Sequence, residues 1–137
     1  MGSGIDQEGM TRQKNFERVT ESGKQAAATF AHLQQADPAH AAQYYVAHRN
    51  DIYMGTIADK LQKEVQDIDK YMSHLRVQPV GGPDSGLTSE TQRLDMLQEA
   101  YKRKQNMLDL GLKLFKEGPP SLGSTVASPG QGQGNAR

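Results

Sequence analysis

Apolar residues recur along this chain at steps of three and four, the spacing of one face of an α-helix. Two such runs fill residues 52 to 117. Ile57, Leu61, Val65, Ile68, Met72 and Leu75 mark the first, and Leu94, Leu97, Tyr101, Leu108, Leu112 and Phe115 the second. Between them lies Gln78-Pro79-Val80-Gly81-Gly82-Pro83-Asp84-Ser85-Gly86, whose prolines and glycines cannot continue a helix. Two rods of similar length joined by such a turn predict a long antiparallel helical hairpin.

A third run precedes them. Phe16, Val19, Gly23, Ala26, Phe30 and Leu33 form a heptad-like seam, which predicts a helix from Thr11 to near Ala36. Its middle is small, since Gly23 and Ala26 to Ala28 let another helix come close, either within the chain or between subunits. Pro38 disfavours helical backbone at Asp37. Asp37 can then cap a short helix that begins at Pro38 and runs to about His48. Tyr44 and Tyr45 are adjacent there and must point apart, one ring toward the core and the other toward a partner. Asn50 or Asp51 is the expected cap of the first hairpin helix, which runs to about Arg76, with Gly55 weakening its first turn or marking a bend.

Thr88 or Ser89 should cap the last helix, with Ser89 and Gln92 spaced as a capping box. Gly118-Pro119-Pro120 ends it near Glu117. Lys104 and Gly111 fall where seam residues belong, which predicts a bundle with a local gap rather than an unbroken coiled coil. The fold class is therefore all-α: a long antiparallel helical hairpin with an N-terminal helix, a short Pro-started helix and a flexible Gly/Pro-rich tail. The expected divisions are a flexible N-terminus at 1–9, a helical domain at 10–117 and a low-complexity Gly/Pro/Ser/Gln tail at 118–137.

Composition changes this picture in one respect. Only 35% of the residues are apolar and there is no Trp, so the core of a lone copy is thin, and oligomerisation or docking would complete it. The 16 basic and 16 acidic residues cancel, so no net field steers the chain to nucleic acid or an anionic membrane. With no cysteine, disulfides and thiolate metal sites are excluded. No apolar run approaches the roughly 20 residues of a membrane span, so the chain is expected to be soluble when made.

Candidate chemistry is sparse. His32, His40, His48 and His74 lack metal-binding spacing. Glu64, Asp67 and Asp69 are acidic neighbours, but residues two apart on a helix diverge. No nucleophile elbow, phosphate loop or dinucleotide fingerprint occurs. No catalytic residue, cofactor or metal is therefore expected. Lys102, Arg103 and Lys104 form one basic cluster, read either as a solvated helix face or as a salt-sensitive phosphate contact.

The order of these segments is similar to that of a helical region found toward the C-terminal ends of very large tailed-phage internal and ejected virion proteins. The likeness is carried by Ala28-Thr29-Phe30 with Leu33, by Asp37-Pro38 and Ala41-Ala42-Gln43-Tyr44-Tyr45, and by His48-Arg49. It continues through Leu61, Ile68 and Leu75, then Leu87-Thr88-Ser89-Glu90 with Arg93, Asp95 and Leu97. This chain is far shorter than those proteins and closes in a Gly/Gln-rich tail. It also resembles the small ejection proteins of podovirus-like phages.

The resemblance implies a non-enzymatic virion protein, delivered to the host envelope, that self-assembles into a ring or tube and helps genome or protein cross. Its implied partners are further copies of itself and other virion proteins. The self-association residues are then Phe16, Val19, Phe30, Leu33, Tyr44, Tyr45, Ile57, Leu61, Val65, Ile68, Leu94, Leu97, Tyr101, Leu108 and Phe115. Two alternatives stand beside it: a helical adaptor or secretion chaperone that holds a client protein, and a weak nucleic-acid-associated protein using Lys102 to Lys104.

Overall fold

The computed structural model describes residues 6–82 and 86–120. The expectations for Met1 to Ile5, for the middle of the turn and for the tail beyond Pro120 lie outside the described residues. Four α-helices follow in order: α1 Gln7–Ala36, α2 Pro38–Ala47, α3 Arg49–Val77 and α4 Glu90–Glu117. The described residues contain no strand, so the fold is all-α.

The hairpin forms as its periodicity requires. Asp69 of α3 meets Lys104 of α4, Asn50 meets Phe115, and Arg93 meets Leu75, so the two helices run antiparallel along their whole length. Each C-terminus is closed by a side chain from the other helix. The last carbonyls of a helix have no partner within it. Arg93 of α4 donates to the carbonyls of Leu75 at 2.6 Å, Arg76 at 2.8 Å and Gln78 at 2.7 Å. At the far end Asn50 Nδ2 donates to the carbonyl of Phe115 at 2.8 Å. Asn50 is therefore not the cap of its own helix. His48 holds that position without a side-chain bond, and α2 and α3 meet there at a break in the rod.

The first helix begins at Gln7, four residues ahead of the expected start. The Asp6 carboxylate caps it by accepting from Gly9 N–H at 2.9 Å. It folds onto its own chain, antiparallel to α3 and parallel to α4. Gln62 of α3 donates to Thr20 at 3.0 Å and Lys24 pairs with Asp59 at 3.2 Å. Arg12 pairs with Asp109 of α4 at 2.7 Å. The α1/α3 crossing is close because both helices are glycine there. A Cβ on Gly55 would lie 2.2 Å from the Gly23 carbonyl oxygen and 2.6 Å from Ala27 Cβ. Gly55, expected to weaken or bend its helix, is instead half of a backbone-to-backbone contact.

Phe16, Val19, Met54, Leu61, Val65 and Leu108 make the buried core, with Ile57, Met107, Leu112, Leu114 and Phe115 packed against it. The gap expected at Gly111 is filled. The Phe16 ring from α1 occupies the space, and a Cβ on Gly111 would sit 2.5 Å from Phe16 Cε1. The small residue in the hairpin seam is thus a socket for the third helix.

Candidate interaction surfaces

Three surfaces follow from helices of unequal reach. Beyond its contacts with Asp51 and Gly55 of α3, α1 runs on to Ala36, and α2 folds back along it as an elbow. Phe30 and Tyr45 pack there with ring centroids 5.4 Å apart, and Ala41 is buried beneath them. Phe30, Gln34, Pro38, Ala42, Tyr45 and Val46 line an open groove of about 590 Å³, with Val46 79% exposed. Tyr44, the other ring of the pair, stacks on His48 at 4.2 Å between centroids.

At the opposite end, α1 begins where Asp6 accepts a hydrogen bond from the Tyr101 hydroxyl. The hairpin tip extends beyond that point with α3 and α4 alone against each other. This explains a correction to the expected seam: Leu94 is 55% exposed and Tyr101 37%. Leu94 lies past the reach of α1, and Tyr101 turns its hydroxyl outward to Asp6. Val77, at the last residue of α3, is 79% exposed.

The third surface is the face of the hairpin turned away from α1. Glu64, Asp67 and Ile68 of α3 and Arg103, Asn106, Met107 and Leu110 of α4 line a groove of about 510 Å³. Toward the tip it continues past Tyr71, Met96 and Glu99. The Arg103 guanidinium lies over the Tyr71 ring, 5.8 Å from its centroid, a cation–π contact.

The expected self-association residues divide among these settings. Phe16, Val19, Leu61, Val65 and Leu108 are buried in the chain's own core, so they hold the fold and do not face a partner. Ile57 and Phe115 pack against that core, while Leu33, Ile68 and Leu97 are half-buried. Tyr45, Leu94 and Tyr101 are the exposed members, with Phe30 and Tyr44 half-buried at the elbow. Sequence periodicity missed Val77 and Leu110, which are exposed, and the buried Met54, Ala58 and Ala100. The small size of Ala58 and Ala100 was the available signal, because small residues mark close helix contacts.

The basic cluster does not act as one patch. Lys104 Nζ is 2.8 Å from Asp69 Oδ1 with its side chain 13% exposed, and Arg103 is engaged with Tyr71. Successive residues turn about 100° around a helix, so Lys102 faces elsewhere. The acidic neighbours are separated likewise. Asp69 bonds Lys104, whereas Asp67 accepts from Lys63 at 2.8 Å. That hydrogen bond holds the Asp67 carboxyl below its ordinary range, the reverse of what a proton donor near neutrality needs. Among the described residues no group of three or more His, Asp or Glu side chains could hold a metal ion. No described helix is long and apolar enough to cross a membrane.

No protein-family model, curated protein or solved structure matches the chain.

Proposed function

We propose that this chain is a non-enzymatic structural protein that works by assembling with further copies of itself. Following the resemblance, the assembly is a ring or tube carried in a tailed-phage virion and expelled to help genome or protein cross the host envelope. One observation carries the assembly reading. Large apolar side chains stay exposed at the elbow (Tyr45, Val46), along the open hairpin face (Tyr71, Leu110) and at the tip (Val77, Leu94). Scattered exposed apolar groups are ordinary, but three clusters on one small chain, each beside a groove or a helix end, mark surfaces for other protein.

The absence of cysteine and the dominance of helix–helix contacts suit expulsion through a narrow conduit, because such folds open and re-form rapidly. Size-exclusion chromatography with light scattering over a wide concentration range tests assembly, and a strict monomer throughout would refute it. Mass spectrometry of purified virions tests the setting. A second reading, a helical adaptor or chaperone, is favoured by the elbow groove at Phe30, Pro38, Tyr45 and Val46. It predicts a stable stoichiometric complex with one client and no large homo-oligomer.

A further inference from the structure

The open face of the hairpin carries a stripe on each helix with identical spacing. On α3 the stripe is Lys60, Glu64, Asp67 and Tyr71, and on α4 it is Glu99, Arg103, Asn106 and Leu110. Both advance by four, three and four residues, so each keeps to one side of its helix. All eight residues are exposed. Beneath them Ile68 and Met107 form a half-buried apolar floor. Two helices with a greasy floor and a charged border have the shape of half a four-helix bundle.

We propose that a second copy of this chain supplies the other half. The two copies are related by a two-fold axis running parallel to the helices. This deepens the assembly reading above and rests on it. The symmetry decides which residues meet. Rotation about such an axis lays α3 of one copy over α4 of the other at equal height. Height within the chain is read from the shared groove, where Glu64 and Asp67 line the same stretch as Arg103 and Asn106, and Tyr71 and Glu99 line the next stretch toward the tip. On that scale Glu64 meets Asn106 of the second copy, Asp67 meets Arg103, Tyr71 meets Glu99, and the Lys60 stem covers Leu110.

Each match is complementary. A carboxylate accepts from an amide, a carboxylate pairs with a guanidinium, a phenol donates to a carboxylate, and an aliphatic stem lies on an apolar side chain. No like charges face each other, and the symmetry makes every contact twice. The zero net charge of the chain removes the long-range repulsion that would otherwise oppose pairing of identical copies. A client protein would have no reason to match both stripes at the same heights, which favours a second copy as the occupant.

The test uses two charge reversals in the full chain. D67R places two arginines opposite each other at both contacts of a homodimer, and R103D places two carboxylates there. Each variant should associate roughly a hundredfold more weakly than the native chain, because two like-charge contacts replace two ion pairs. An equimolar mixture of the D67R and R103D chains restores Arg opposite Asp at both contacts. That mixture should recover native association by light scattering, with neither partner self-associating. No effect within one chain can produce rescue by mixing.

Single variants that associate as the native chain does, or a mixture that stays dissociated while both variants keep native helicity, would overturn the interface. Native self-association indifferent to both reversals would remove this face but leave the assembly reading. A native chain that is monomeric at every concentration would remove both.

Discussion

The close crossing of α1 and α3 makes a prediction in which two effects have opposite signs. Glycine inside a helix is worth about 1 kcal/mol less than alanine, so Gly55→Ala would stabilise α3 in isolation. In this fold the new Cβ lies 2.2 Å from the Gly23 carbonyl oxygen and 2.8 Å from its carbonyl carbon. Those are backbone atoms, which no rotamer change can move, so the helices must separate. Separation also loosens Met54 and Ala58, both fully buried. Overpacking of this kind costs about 1–3 kcal/mol, and the upper end applies because backbone opposes backbone. Net destabilisation of about 1–2 kcal/mol follows once the helix-propensity gain of about 1 kcal/mol is subtracted. For a chain of this size it lowers Tm by roughly 3–8 °C.

Thermal and urea unfolding followed by circular dichroism measures this directly. Gly111→Ala is the internal comparison. Its Cβ meets the tip of the Phe16 ring at 2.5 Å, and a ring can shift where a carbonyl cannot, so the cost should be smaller than at Gly55. A Gly55→Ala variant more stable than native, or a larger loss at Gly111 than at Gly55, would refute the reasoning.

Three further outcomes are expected. Arg93→Ala removes donors to the carbonyls of Leu75 and Arg76 at the end of α3 and of Gln78 just past it, and should cost about 2 kcal/mol, read from the urea midpoint. Arg93→Lys should recover only part of this, because one ammonium cannot reproduce the fork. Asn50→Asp should destabilise more than Asn50→Ala, since it puts a negative charge against the carbonyl end of α4; thermal unfolding at low salt reads the difference. The Tyr101–Asp6 bond should act between two pH limits. The Tyr101 hydroxyl and then Gly9 N–H hold the Asp6 carboxyl below its ordinary 3.8, so its contribution is present above that value and lost as pH falls through the lower folded pKa. Asp6 in turn raises Tyr101 above its ordinary 10.0, so that contribution is present below 10.0 and lost as pH rises through the higher folded pKa. Tyr101→Phe should therefore flatten the pH dependence of Tm at the alkaline edge and reduce it at the acid edge.

Much of this fold was legible in order and spacing. The periodicity of Leu61, Val65, Leu75 and Leu108, the Asp37-Pro38 break, the Ser89 cap and the stop at Gly118 are local facts. They depend on residues a few positions apart, which is why sequence alone carried them. The start of α3, expected at Asn50 or Asp51 and found at His48, was not a local matter, because Asn50 is drawn to a carbonyl 65 residues away.

Sequence by itself determined that this protein is all-α, that its long helices form a hairpin and that no cysteine chemistry is open to it. Tertiary structure alone decided which apolar and glycine positions face inward. Gly55 and Gly111 read as weaknesses along their own helices, yet each receives part of α1. Leu94 reads as seam, but α1 stops short of it. A helical period fixes the angle at which a side chain leaves its own axis. Whether another helix stands at that angle and height depends on how far each rod extends once the chain has folded back.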